Sequence, residues 1–187
     1  MLGVFGVVLG AQKTIENLVG SLTLIADRPV RVGDFCRFDG TMGTIVDIGI
    51  RSTRVRTLEG TYVTIPNGAF ASMQIENYAF REEFLFNTTL TLRYETTNEQ
   101  IKSVLEKLRA FLLEEPKVKR DPFRVRFVEL GAHSLDIEIF CYVEAKDYAA
   151  FLEIKEQLLL GVVDIIREKG ADFAFPSQTI YLGKDNV

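Results

Sequence analysis

The chain has 187 residues, 47% hydrophobic and 26% charged, which suits one ordinary domain or two small ones and excludes wholesale disorder. Its 22 Lys+Arg and 26 Asp+Glu give a net charge of −4, which makes it a poor candidate for binding DNA through bulk positive charge. Two widely separated cysteines, Cys36 and Cys141, and a single histidine, His133, leave no material for a disulfide scaffold, a Cys-rich zinc module or a His-rich metal site.

The totals hide a division. Residues 1–80 hold seven basic and seven acidic side chains, so the whole of the −4 belongs to the stretch that follows. Ten of the 14 glycines lie at or before Gly68. A glycine-dense neutral half followed by a glycine-poor acidic half reads as two modules.

Leu2 to Ala11 carries no charge. As a helix it rises about 15 Å, half the hydrocarbon core of a bilayer, so it cannot span a membrane alone. From Thr14 the pattern turns amphipathic, with Ile15, Leu18, Val19, Leu22 and Ile25 at helical spacing. Gly6 and Gly10 form a small-xxx-small pair of the kind that lets helices approach closely in lipid. A soluble helix with an apolar face and a longer membrane segment cut at Met1 both fit this stretch.

Arg28-Pro29 ends the helix, since proline cannot continue it and restricts the residue before it. Short strand-like runs then alternate with turns: Phe35–Phe38, Gly43–Ile48, Arg51–Leu58 and Thr61–Ile65, the last two separated by Glu59-Gly60, a hairpin signal. Five short strands in about fifty residues suit a small barrel, closed by a turn at Ile65-Pro66-Asn67-Gly68. Arg51, Arg54 and Arg56 are the candidate nucleic-acid patch, but Asp34, Asp39, Asp47 and Glu59 on the same module favour charge pairing over phosphate binding.

The second module reads βαββαβ. Phe84, Phe86, Thr88, Leu90 and Leu92 alternate as a half-buried strand. Thr97 and Gln100 offer a capping box before a helix whose face is Ile101, Val104, Leu105, Leu108 and Leu112. Pro116 and Pro122 bracket a polar connection. Phe123, Val125 and Phe127 then form the inner face of a second strand, and Leu135, Ile137, Ile139, Cys141 and Val143 that of a third. A second helix carries Phe151, Ile154, Leu158, Val162 and Ile165, with Gly170 as its stop, and Gln178–Leu182 makes a last strand. Two helices on one face of a four-stranded antiparallel sheet is the ferredoxin-like arrangement. The fold class is thus α+β: an N-terminal helix over 1–27, a small β-barrel over 28–80 and a ferredoxin-like domain over 81–187.

Catalytic signatures are missing: no P-loop, dinucleotide fingerprint, HExxH or G-x-S-x-G occurs. His133 with Ser134 and Asp136 lies in a strand–turn–strand context, where sequence neighbours do not converge on one substrate atom. Neither an enzyme nor a cofactor is expected.

Taken together, the motifs resemble the small-conductance mechanosensitive (MscS-like) channels, and the last stretch resembles the branch that includes YnaI-type bacterial channels. The similar residues are Asp27-Arg28-Pro29, Val32-Gly33-Asp34, Gly43-Thr44-Ile45, Arg51-Ser52-Thr53, Arg54-Val55-Arg56-Thr57, Ile65-Pro66-Asn67-Gly68, Ile75-Glu76-Asn77, Tyr94, Glu129-Leu130-Gly131 and Ala174-Phe175-Pro176-Ser177-Gln178-Thr179. Each is weak alone, and their shared order and spacing carry the resemblance.

The resemblance implies that 1–27 is the end of a pore helix with an amphipathic helix after it, 28–80 an Sm-like β domain, and 81–187 the wall of a cytoplasmic vestibule. It implies a homoheptamer in the bacterial inner membrane, cytoplasmic from about residue 28, which opens under tension and releases ions and solutes in hypo-osmotic shock. Its partners would be further copies of itself, membrane lipids and the permeating solutes, with no nucleic acid. The upstream membrane helices of the family are expected to be missing from this chain. Alignment on Arg28-Pro29 puts the two pore rings at Phe5 and Leu9. These residues are one turn apart and so face the same way, as apolar rings that close a pore by dewetting must; ordinary helix packing is the alternative. Where some members have a hinge glycine this chain has Lys13, so the bend is expected at Gly10 or Gly20, or the Gln12-Lys13 pair marks the membrane exit. The β-domain motif residues are Arg28, Pro29, Gly33, Asp34, Gly43, Pro66 and Asn67, and side chains around Asn77–Glu83 are candidates for filtering solutes. A soluble Sm-like ring that binds RNA is the alternative function.

Overall fold

A computed structural model describes the backbone of residues 2–176 and the side chains of residues 12–176. The chain divides into two compact units, Met1–Arg81 and Glu82–Val187.

The first unit begins with α1 (Leu2–Asp27), one helix without interruption at Gly10, Lys13 or Gly20. The helical hydrogen-bonding pattern is not broken at any of them. Lysine is a good helix former, and a single interior glycine costs only about 1 kcal/mol, too little to break a helix by itself. Arg28 then takes a left-handed backbone, φ 47°, while its N–H still reaches the Leu24 carbonyl at 3.2 Å, and Pro29 follows.

Five strands come next: β1 (Phe35–Phe38), β2 (Thr41–Ile48), β3 (Ser52–Thr57), β4 (Tyr62–Pro66) and, after the short helix α2 (Asn67–Ser72), β5 (Ile75–Asn77). They form one antiparallel sheet in the order β4-β3-β2-β1-β5. The Pro66-Asn67-Gly68 stretch, expected to be a closing turn, instead carries β4 straight into α2. Pro66, at φ −58° and ψ 134°, is the last extended residue, and Asn67 opens the helix. Period-2 alternation buries Cys36, Phe38, Ile45, Val55 and Ile65 with Val30, Phe70 and Leu24 of α1 in a single small core.

The second unit is built on β6 (Glu83–Leu92), β7 (Val118–Leu130) and β8 (Leu135–Glu144), in the antiparallel order β6-β8-β7, with α3 (Asn98–Glu114) and α4 (Tyr148–Glu168). This is the strand order of a ferredoxin-like βαββαβ unit for its first three strands. Phe173 adds a bridge to Leu92 at the free edge of β6. The fourth strand expected at Gln178–Leu182 lies outside the described residues. Thr97 and Gln100 close a full capping box on α3, Asp147 caps α4, and Gly170 at φ 66° follows the C-cap.

Twenty-two buried apolar residues from the sheet and both helices make this core, and Leu135, Ile137, Ile139, Cys141 and Val143 all face it. One expectation fails in detail. Phe127 is 41% exposed, whereas Val125 beside it is buried. Phe127 keeps the register of Val125, with register shifts only on either side of the run Phe123–Phe127, and it lies in the last part of β7, where residues 126–130 are all exposed. β7 begins at Val118, within the stretch expected to be a polar connection.

Candidate functional site

The sequence-predicted residues with described side chains converge on two places in the first unit, and both join α1 to the β module. The first is where α1 crosses α2. On a helix that turns 100° per residue, Asn17, Gly20, Ser21 and Leu24 share one stripe, opposite the stripe of Ile15, Leu18, Val19, Leu22 and Ile25. It is the less apolar stripe that packs. Gly20, Ser21 and Leu24 are buried, while Val19 is 57% and Leu22 67% exposed.

Gly20 permits the approach: a Cβ there would stand 2.5 Å from the Asn67 carbonyl oxygen and 2.7 Å from the Gly68 nitrogen. Beside it, the Asn67 side chain is wholly buried and almost fully hydrogen-bonded. Its Nδ2 donates to Ser21 Oγ at 2.8 Å and to the Gly49 carbonyl at 2.7 Å, and its Oδ1 accepts from Thr53 Oγ1 at 2.8 Å. The single hydroxyl proton of Ser21 faces the carbonyls of Asn17, at 2.8 Å, and Ile50. The Gly68 N–H donates to Asn17 Oδ1 at 3.1 Å, and the Asn67 N–H to the Arg51 carbonyl at 2.9 Å. Among the described residues no buried side-chain polar atom lacks a partner. The unit therefore carries these polar groups without an orphan's desolvation penalty.

The second place is the exit from α1. Asp34 Oδ2 accepts from the Arg31 N–H at 2.9 Å and from Asn77 Nδ2 at 2.7 Å, and Asn77 also donates to the Pro29 carbonyl at 3.2 Å. Asn77 Oδ1 takes the Ala79 N–H at 2.9 Å. Gly33 holds φ 98°, a left-handed backbone, and its N–H reaches the Ile45 carbonyl at 2.8 Å while the Ile45 N–H returns to Asp34. The motifs around Pro29, Asp34 and Asn77, up to 48 residues apart, are thus one staple that fixes the chain between α1 and β1 to β5. Gly43 lies inside the sheet, where a Cβ would come within 2.5 Å of the Arg56 carbonyl.

Phe5, Gly6, Leu9 and Gly10, the expected gate and packing positions, fall in the first turns of α1, and their side chains lie outside the described residues. Of the Arg trio, one member has an acidic partner. Arg54 pairs with Asp47 at 3.5 Å, both half-exposed, and Arg54 and Arg56 project from the solvent face of β3. Beyond β5, Tyr78 lies against Phe35 (5.9 Å between centroids), with the Arg37 and Arg81 guanidiniums 5.7 and 5.0 Å from its ring. Desolvation, followed by a hydrogen bond to Glu76, pushes its phenol above the ordinary range. Cys36 and Cys141 are buried thiols pushed up to about 11, mainly by desolvation. Among the described residues no three His, Cys, Asp or Glu side chains are placed to hold a metal ion.

Sequence reasoning named Gly20 and Asn67, and Thr53 among the motif residues, but missed Ser21 and Asn17. The available signal was their spacing: Asn17, Gly20, Ser21 and Leu24 follow i, i+3, i+4, i+7 as regularly as the apolar stripe does.

With this geometry in view, the comparisons with known proteins are direct. Residues 13–79 match the family described as the mechanosensitive ion channel β-domain, and residues 86–173 that described as the mechanosensitive ion channel MscS C-terminal domain. The chain belongs to the MscS-like family of mechanosensitive ion channels. It is 36% identical to an uncharacterised MscS family protein of Aquifex aeolicus, over 94% of this chain and 48% of that protein. To the low conductance mechanosensitive channel YnaI of Escherichia coli it is 31% identical, over 100% of this chain and 54% of that protein. Its fold matches a cryo-EM structure of Arabidopsis thaliana MSL1 A320V with a TM-score of 0.85 at 18% identity, covering 94% of this chain and 66% of the other. The chain spans about half the length of the curated relatives it matches. Among the described residues no helix is long and apolar enough to cross a membrane.

Proposed function

We propose that this chain forms the pore end and cytoplasmic vestibule of a membrane channel that opens under tension and passes ions and small solutes in hypo-osmotic shock. The observation that carries the reading is the order of parts. A helix docked on the β module leaves its apolar stripe open, and two mechanosensitive-channel domains match in succession from residue 13 to residue 173. An open stripe of five large apolar side chains on one helix needs covering, and further copies of the chain arranged around a pore supply that cover. On this reading the chain assembles as a homoheptamer in the inner membrane in contact with lipid. The residues after about 28 lie in the cytoplasm, and Phe5 and Leu9 form the apolar rings of the gate. The RNA-binding alternative is not favoured: the matched families are channels, and Arg54, one of the arginines that suggested it, pairs with Asp47.

Patch recording from the channel that carries this chain tests the reading. Tension-activated current is expected, and a channel silent at every tension short of membrane rupture overturns it. Leu9→Ser puts a hydroxyl in the proposed dewetted ring and is expected to lower the opening tension. An unchanged threshold removes Leu9 from the gate.

A further inference from the structure

We propose that Ser21 and Asn67 are positioning residues: the hydroxyl-to-amide contact between them locks the register of α1 on the β module and so sets where the pore end of the helix stands. The consequence for gating rests on the channel reading above, whereas the lock itself rests on geometry.

Hydrophobic contact is non-directional, so a helix held only by apolar side chains can slide or rotate on its support at little cost. Directional hydrogen bonds remove that freedom. Among the described residues of α1, Leu24 is the one apolar side chain that reaches the core of the β module. The other large apolar side chains, Ile15, Leu18, Val19, Leu22 and Ile25, stay largely exposed and take no part in that core. What fixes the helix at the crossing is therefore polar.

Asn67 serves as the hub. Its amide touches α1 through Ser21, the β2–β3 turn through the Gly49 carbonyl, and β3 through Thr53. Ser21 faces the same turn through the Ile50 carbonyl, so helix and turn are tied twice. The hub is selective for the amide. A carboxylate at position 67 keeps the shape but replaces both donors with an oxygen aimed at the Gly49 carbonyl. The bare backbone of Gly20 allows the close approach that puts Ser21 within reach of Asn67. A shift of α1 by even one residue carries Ser21 away from Asn67 and leaves a buried amide N–H unpaired, a penalty of the kind that makes polar contacts specify register.

The test uses the channel that carries this chain, in detergent for hydrogen exchange and in liposomes for patch recording. Ser21→Ala removes one oxygen and leaves the β module's own contacts in place, so the protein still folds. It is expected to speed exchange of the α1 amides around residues 20–27 about tenfold, leave the amides of β7 and β8 unchanged, and shift the opening tension. Ser72→Ala is the control. Its exposed hydroxyl bonds only carbonyls within α2, at 3.1 and 2.8 Å, and its loss is expected to move neither readout. Unchanged α1 exchange in Ser21→Ala overturns the lock. Faster exchange with an unchanged opening tension overturns the positioning role and leaves a purely structural contact. A wild-type protein without tension-activated current sinks the channel reading, and the exchange result then decides the lock by itself.

Discussion

The two units solve the same problem, covering one face of a sheet, in different ways. The second covers β6, β8 and β7 with α3 and α4 and, among the described residues, gathers 22 apolar side chains into one core. The first gathers eight among its described residues, and its buried polar side chains Ser21, Thr53 and Asn67 hold α1 in place of a larger apolar contact. A core such as that of the second unit supplies stability. A small core with a satisfied polar network supplies a defined geometry for one helix, and that helix leaves its apolar side available to something else. The difference matches the proposed division of labour, in which one unit is a wall and the other carries the pore end.

The largest effect expected from breaking this comparison is in the wall. Leu108→Ala empties a fully buried site between α3 and the sheet and is expected to cost the second unit about 4 kcal/mol. Denaturant unfolding followed by hydrogen exchange should show the loss confined to amides after residue 82; equal loss in the β module would mean that the units do not unfold separately. Next comes Gly20→Ala, expected to cost the first unit about 2 kcal/mol, because a Cβ there meets the Asn67 and Gly68 backbone, which cannot give way like a side chain. Unchanged stability would show that α1 rides on α2 more loosely than described. Thr97→Ala removes the capping box of α3 and is expected to cost about 1 kcal/mol, read as a small fall in the denaturant midpoint of the second unit alone.

The smallest effect near neutral pH comes from the thiols, and it acts on both units alike. Cys36 and Cys141 are raised from the ordinary 9.0 to about 11, so the folded state holds these protons when the unfolded state has released them. Their contribution is full below pH 9 and is lost as pH rises toward 11, so alkaline titration should destabilise the wild type more than a Cys36→Ala/Cys141→Ala pair over that window. A parallel pH profile for the two proteins would place these thiols in a more open setting than the core.

Much of this protein follows from local sequence. Period-2 alternation marked β6 and β8 residue by residue, because a half-buried strand must send every second side chain inward. Thr97, Gln100 and Gly170 set the ends of α3 and α4 through contacts a few residues away, and the ordered motifs from Asp27 to Ala174 carried the family. Three features were decided only by tertiary structure. Periodicity located the apolar stripe on α1 but did not tell which face packs, since that depends on the close approach allowed by Gly20 and on Asn67, 46 residues from Ser21. Asn67 opens a helix where its Pro-Asn-Gly setting reads as a turn, because its side chain is claimed by Ser21, Gly49 and Thr53 rather than by its own backbone. Phe127 keeps the register and face of the buried Val125 yet lies in the exposed last part of β7, because alternation sets which face a side chain takes and not what covers that face. Local pattern fixes which residues share a face; what that face meets is a property of the whole chain.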